Sequence, residues 1–331
     1  MTWEWMIAID LWVAGIAGGA YFAAFLVNRL SGGKHKEMVQ WAVYVGVPLV
    51  LLGSMLLATD LGEPFRAWHL FVGLQPSSWM VASAQGAASL RAWPPYLNFY
   101  PISPMSMGSW ILFIWAIIGV VLIALWFAQL FKAVSEEKEI DFFGGVASFL
   151  YPLVPAIGFF EWVAFFLSVL LITYTGVLLS ATNQALWSWA FFLPALFVSS
   201  AILTGIAVIL IIGLISGGEE PGFREALAKL SQAYTIVIVV EIAALIGLFI
   251  WLSAFSTAAS AQAVGLLLSG PLSLYFWIGV VLVGLLIPLG LGVLAWRRRG
   301  TAISLAMALS ALCVLAGGFI LRTVIILGGQ M

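Results

Sequence analysis

Apolar runs recur along the whole chain, separated by breaks that carry Gly, Pro and charge. A bilayer core of roughly 30 Å asks a helix for about 20 consecutive apolar residues. The pattern predicts eight such spans, at about 7–28, 40–59, 105–131, 149–180, 187–215, 233–254, 273–296 and 301–327. The expected fold class is an all-α polytopic membrane protein, one integral-membrane domain over residues 1–331 built as a bundle of eight transmembrane helices. Connections are short except for residues 60–104. That loop carries Trp68, Trp79, Trp93 and the turn "WPPY", and is expected on the membrane surface with its aromatics at headgroup level.

Only 8% of residues are charged, so the position of each charge is informative. The breaks after spans one, three, five and seven hold Arg29, Lys34, Lys36, Lys132, Lys138, Arg224, Lys229 and Arg297 to Arg299, ten of the 13 Lys and Arg. The other side has Arg66 and Arg91, and Arg322 falls inside span eight. Basic loops stay cytoplasmic, which places both termini and the 60–104 loop outside. The opening "MTWEWMIAIDLW" lacks a basic leader and an A-x-A-like site, so it is expected to lead into a retained first helix. A net charge of −1 says little about partners. Membrane lipid is one expected partner and nucleic acid is not.

Small residues group in "AGIAGGAYFAA" (14–24) and "LAGGF" (315–319), which predicts faces where helix backbones approach closely in lipid. Cys313 is the only cysteine and lies in the last span. An internal disulfide, a cysteine-held iron–sulfur cluster and a CxxC redox pair are therefore excluded. Of the two histidines, His35 falls in a loop on the cytoplasmic side and His69 in one on the outer side, so no bis-histidine haem fits within the bundle. No metal site is expected. HExxH, a nucleotide-binding glycine loop and a nucleophile elbow are all missing from the sequence.

Four ionisable residues fall inside predicted spans: Asp10, Glu161, Glu241 and Arg322. Each costs about 2.5–3.5 kcal/mol at the centre of an isolated helix on insertion scales, so each should face protein or water. Span direction assigns Asp10 and Arg322 to an outer layer, joined by Asp60 at the end of span two. Glu161 and Glu241 come early in outward-running spans and are assigned to the inner half, where no basic residue is expected. An unpaired buried carboxyl tends to stay protonated, which suits a proton relay; a neutral Glu bonded to a backbone carbonyl is the structural alternative. For the outer layer the alternative is a buried ion pair of Asp10 or Asp60 with Arg322.

The stretch "DLGEPFRAWHLF" (60–71) concentrates Asp60, Glu63, Arg66 and His69 at the mouth of an apolar segment. Pro64 stops the preceding helix. A carboxylate at a helix C-terminus is unfavourable, so capping explains Asp60 poorly. Glu63 and Arg66 could equally form a solvated pair of little weight.

Together with "SPMSMGSW" (103–110), "YTGVLLSATNQALW" (174–187), "LPALFVSSAILTG" (193–205) and "GGFILRTVIILGGQ" (317–330), this stretch resembles the NrfD/PsrC family. These are the membrane subunits of polysulfide reductase-type complexes, and the resemblance runs in order over nearly the whole chain. It implies a haem-free quinone-binding anchor in a prokaryotic cytoplasmic (inner) membrane. Electrons would pass between quinone, menaquinone in preference to ubiquinone, and a ferredoxin-like iron–sulfur subunit on the outer face. That subunit would serve a molybdopterin-type catalytic subunit, so this chain would act within a quinone-linked oxidoreductase without converting the terminal substrate itself. Tyr174 matches the family's Y-x-G tyrosine and would donate to a quinone carbonyl. Asp10 stands where other members carry a histidine, a departure that makes it a candidate base for the quinol proton. Asp60 and His69 would complete the quinone and proton-exchange site, with Glu63 and Arg66 as a docking rim. Glu161, Glu241 and Arg322 would form a proton path. A proton-coupled secondary transporter using the same carboxyls is the competing reading, although no convincing inverted repeat is visible. A purely structural anchor that binds no quinone is the third.

Overall fold

The computed structural model describes residues 5–60, 64–73, 96–97, 99–100, 103–138, 149–182, 184–188, 190–215, 221–254, 257–297 and 302–331. Eight helical spans in these residues are long and apolar enough to cross a bilayer: Trp5–Leu30, Lys36–Thr59, Pro104–Lys132, Tyr151–Ser180, Leu193–Ile215, Leu227–Ala254, Tyr275–Leu294 and Leu305–Gln330. They are called spans one to eight in chain order. The protein is thus an all-α membrane bundle. Eight crossings return the chain to its starting side, so both ends and the connection after span two share one face, here the terminal face. The connections after spans one, three, five and seven share the other, basic face.

Three local features depart from the apolar pattern. Span five starts at Leu193 rather than near 187, because Trp187 sits in a preceding turn and donates its indole N–H to the Ile325 carbonyl of span eight at 2.7 Å. A short helix, Ala258–Leu268, follows span six; Thr257 caps it by accepting from the Ser260 backbone N–H. Span seven is π-helical over Tyr275–Leu286 before returning to α geometry at Ile287–Arg297. Of the long connection, the described part is a 3₁₀ turn over Pro64–Leu70, packed on span two, and a two-residue antiparallel pairing of Val72–Gly73 with Tyr96–Leu97. Trp79 and Trp93 lie outside the described residues.

The spans pack as two four-helix rings. Spans one to four close on themselves through contacts of one with two, two with three, three with four and four with one; spans five to eight do the same. The rings meet where span one packs against spans five and eight, and span four against five. This position makes span one the most enclosed, with 78% of its apolar window buried against 28% for span seven. Lipid contributes no hydrophobic drive between helices, so this seam depends on close backbone approach. A Cβ added at Gly19 would overlap the Ala201 carbonyl, and one at Gly205 the backbone of Gly19 and Ala20. The "AGIAGG" cluster is the packing face predicted; its Gly19 meets span five, its Gly18 span four, and its Gly15 Arg322 of span eight. In span eight, Gly317 meets the Gly284 backbone of span seven in the same way.

Candidate functional site

Each ring encloses one deeply buried carboxyl. In the first ring it is Asp10, 2% exposed, near the terminal end of span one. Its Oδ1 would lie 2.5 Å from a Cβ at Gly53, so the carboxyl rests directly on span two. Tyr174 of span four lies close enough for charge on Asp10 to act on its hydroxyl, and its ring lies flush on Gly108 of span three, where a Cβ would overlap it. All four spans of the ring therefore contribute, two with a polar group and two with a glycine that makes room for it. Asp10 Oδ1 is buried without a hydrogen-bond partner. An orphaned buried acceptor costs about 1–3 kcal/mol and calls for a role. The Trp12 indole N–H, against Phe319 of span eight, is likewise unpartnered.

The second ring holds Glu241, 3% exposed, at the middle of span six. The apolar pattern begins that span at 233 and so puts Glu241 in the inner half, apart from Arg322. The apolar span in fact reaches back to Leu227, and Glu241 lies close to Arg322. Its carboxyl shares a cavity wall with the Ser200 hydroxyl of span five and lies within the field of Arg322. Arg322 is fully buried where the two rings meet. Its Nε donates to the Leu11 carbonyl at 3.2 Å, and its Nη1 to the Gly318 carbonyl at 2.9 Å and to Ser200 Oγ at 3.2 Å. The guanidinium also stands over the Phe197 ring at 5.5 Å. Gly15 permits this, because a Cβ there would sit 2.7 Å from Arg322 Nη2. The alternative of an outer ion pair with Asp10 does not form. Arg322 donates to two carbonyls and to Ser200, close to Glu241.

Glu161 also differs from expectation. It accepts from Arg29 at 3.4 Å, the one ion pair among the described residues. Arg29 is expected in a loop, but span one continues to Leu30 and carries it as a last-turn residue. The guanidinium lies over Phe25 and Trp162, 5.1 and 5.4 Å from their ring centres, and Tyr21 donates its hydroxyl to the Glu161 carbonyl at 2.9 Å. With the Arg29 side chain 40% exposed, the pair contributes about 1 kcal/mol or less. Higher in the same ring, Trp115 Nε1 donates to Ser168 Oγ at 2.8 Å.

Asp60 ends the helix of span two. His69 lies on the 3₁₀ turn that packs on that helix, its ring 3.9 Å from that of Trp68. Glu63 lies outside the described residues, as do the side chains of Asp60 and Arg66. Among the described residues no group of three His, Cys, Asp or Glu is placed to hold a metal ion. Sequence reasoning missed Ser200 as a polar link, Arg29 as a partner and Gly53 and Gly108 as floors. The pair "SS" inside "LPALFVSSAILTG" was the only available signal for the first, and the glycines gave none beyond small size.

Fold and site together define the class: a multi-pass helical membrane protein of two four-helix rings, each built around a buried carboxyl. A family profile described as "Polysulphide reductase, NrfD" matches residues 1–92 and 89–331, which together cover the entire chain. The chain belongs to this NrfD family and is a protein of the prokaryotic cytoplasmic membrane. It is 28% identical to "Protein NrfD" of Escherichia coli K12, over 100% of this chain and 96% of that protein. It is 29% identical to the polysulfide reductase C subunit of Wolinella succinogenes, over 100% and 95%. The "Protein NrfD homolog" of Haemophilus influenzae is 27% identical over 87% of this chain and 82% of its own length.

Proposed function

We propose that the chain is a haem-free quinone-binding anchor of a respiratory oxidoreductase, oriented with its terminal face outside the cytoplasm. It exchanges electrons between membrane quinone and an extracytoplasmic iron–sulfur subunit that serves a molybdopterin-type enzyme. Family membership and the similarity to a polysulfide reductase subunit support this reading. The observation that carries it is the convergence of Asp10, with its unpartnered oxygen, and Tyr174 at the terminal end of the first ring.

These residues fit a quinone headgroup. A bound quinone supplies two-electron, two-proton redox chemistry close to the outer surface, where no haem is needed to bridge the gap. The Tyr174 phenol would hold a quinone carbonyl as a hydrogen-bond donor, and the unpartnered Asp10 oxygen would serve as the base for the quinol proton, with Asp60 and His69 proposed to complete the proton exchange toward the terminal face. Gly53 and Gly108 leave flat backbone beneath both side chains and keep the acceptor close to the donor. Glu63 and Arg66 belong to the rim where the iron–sulfur subunit docks. Glu161, Glu241 and Arg322 form a proton path across the bundle, with Arg322 as the fixed charge between the two rings.

The test is to purify the chain from native membranes in mild detergent and identify what accompanies it by mass spectrometry. An iron–sulfur protein, a molybdopterin-type enzyme and extractable quinone, menaquinone first, are the expected result. A protein that comes alone and without quinone would overturn the proposal.

A further inference from the structure

The second ring contains two small cavities, one above the other along its axis. The first, about 10 Å³, is lined by Ser200, Thr204, Glu241 and Gly284 among others. The second, also about 10 Å³, is lined by Ser231, Tyr234, Gly292, Met307 and Ser310 among others. Each offers room for about one water and three polar side chains to hold it, which is the condition for a hydrated cavity. Glu241 Oε2 is buried without a partner at the first.

The direction of the pair is the same on three spans. The second cavity precedes the first along spans six and eight, which run toward the terminal face, and follows it along span seven, which runs away. The step from Glu241 to Tyr234, seven residues at 1.5 Å each, is about 10 Å toward the basic face. Tyr234 at the second cavity is 2% exposed, with its hydroxyl 2.9 Å from Ser310 Oγ and donating to the Ser310 carbonyl at 3.0 Å. Ser310 Oγ in turn donates to the Pro288 carbonyl at 3.4 Å. Between the levels, by chain position, come Ile238, Leu285 and Val314, all buried.

Span seven supplies an independent sign. Pro288 has no N–H to give the Gly284 carbonyl in α geometry, and the helix is π-helical up to Leu286. π segments leave backbone groups re-aimed and recur at functional sites. Gly284 lines the first cavity, beside Glu241.

We infer that these two cavities are internal water sites, forming a half-channel that gives Glu241 access to the basic face through Tyr234 and Ser310. This rests on the proton-path reading above and assigns the inner leg of that path to the second ring. The groups facing Glu241 are Arg322 of span eight and Ser200 and Thr204 of span five, while span seven presents Val280, Gly284 and Leu285. The fixed charge of Arg322 makes the step from Glu241 toward the terminal face the slower leg of the path and exchange with the basic face the faster one. Buried Ile238 lies between the two water sites on span six.

Millisecond X-ray radiolysis of the full-length protein in lipid nanodiscs, read by mass spectrometry, tests the water sites without any quinone. Hydroxyl radicals form from water in place and oxidise the nearest methionine. Met307 lines the second cavity and is itself half-buried, so its rate is read against its own rate in the variants. Met307 oxidation is expected to fall several-fold in Ser310→Val and in Tyr234→Phe, two variants that remove different hydroxyls. A Met307 rate unchanged in whichever variant folds would overturn the inference. Absence of quinone and redox partners in the purified protein, with Met307 labelling intact, would remove the anchor reading and leave the half-channel standing.

Discussion

Arg322 is held by span one, span five and its own helix at once, and a double-mutant cycle with Gly15 tests that geometry. The three hydrogen bonds it donates, at 2.9–3.2 Å, all come from a charged group with no exposed surface. Replacing it by Met removes the cation near Glu241 and leaves the Leu11 carbonyl and Ser200 Oγ without their charged donor, and a hydrogen bond to a charged group contributes about 1.5–3 kcal/mol. Gly15→Ala on the native background places a Cβ 2.7 Å from Nη2. Overpacking of that kind costs about 1–3 kcal/mol. Relief of the glycine in mid-helix returns about 0.5–1 kcal/mol, leaving a net loss of about 2.5 kcal/mol at most. Once Arg322 is Met, the next neighbour of that Cβ is Ala201 Cβ at 3.4 Å, an ordinary contact. Gly15→Ala should then be neutral or stabilising by up to about 1 kcal/mol. The change of sign gives a coupling of about 1–3 kcal/mol, well above the few tenths expected for independent sites. Reversible unfolding in mixed micelles, followed by tryptophan fluorescence, measures all four corners. Additive effects within about 0.5 kcal/mol would refute the placement of the guanidinium over Gly15.

Gly205→Leu should block the seam between the rings, because even a Cβ there overlaps the span-one backbone; loss of monodisperse protein on size exclusion is expected, while Gly290→Leu, with open space around it, should purify normally. Tyr174→Phe should lower quinol turnover at least tenfold in the intact complex with little change in melting temperature, since the ring and its contact with Gly108 remain. Asp60→Asn should lower turnover with expression intact, and unchanged turnover would remove Asp60 from the mechanism. In Glu161→Gln the Arg29 pair is lost at a cost of about 1 kcal/mol or less. Proton movement in sealed vesicles carrying a pH-sensitive dye should fall, and unaltered movement would remove Glu161 from the path.

Periodicity and length were sufficient for the number of spans, because the energetic demand that a bilayer makes on a helix is local and can be counted residue by residue. The intramembrane carboxyls and Arg322 were legible for the same reason: a charge in an apolar run stands out without any neighbour. What failed were statements about partners. Arg29 looked like loop because its charge ended the apolar run, yet the helix carries it one turn further to Glu161. Glu241 and Arg322 were assigned to different layers from their places along spans six and eight, whereas the fold brings them close together. Packing faces were visible as glycine clusters, but which span each cluster met was not. Partition into two rings, the seat of Arg322 between them and the meeting of Asp10, Gly53, Gly108 and Tyr174 depend on contacts between residues tens to hundreds of positions apart. The sequence determined that eight helices cross the membrane and that a few polar groups are buried among them. Only the tertiary structure decided which polar groups share a ring, since in lipid that choice rests on steric fit and hydrogen bonding between helices, and neither is written in the period of any one helix.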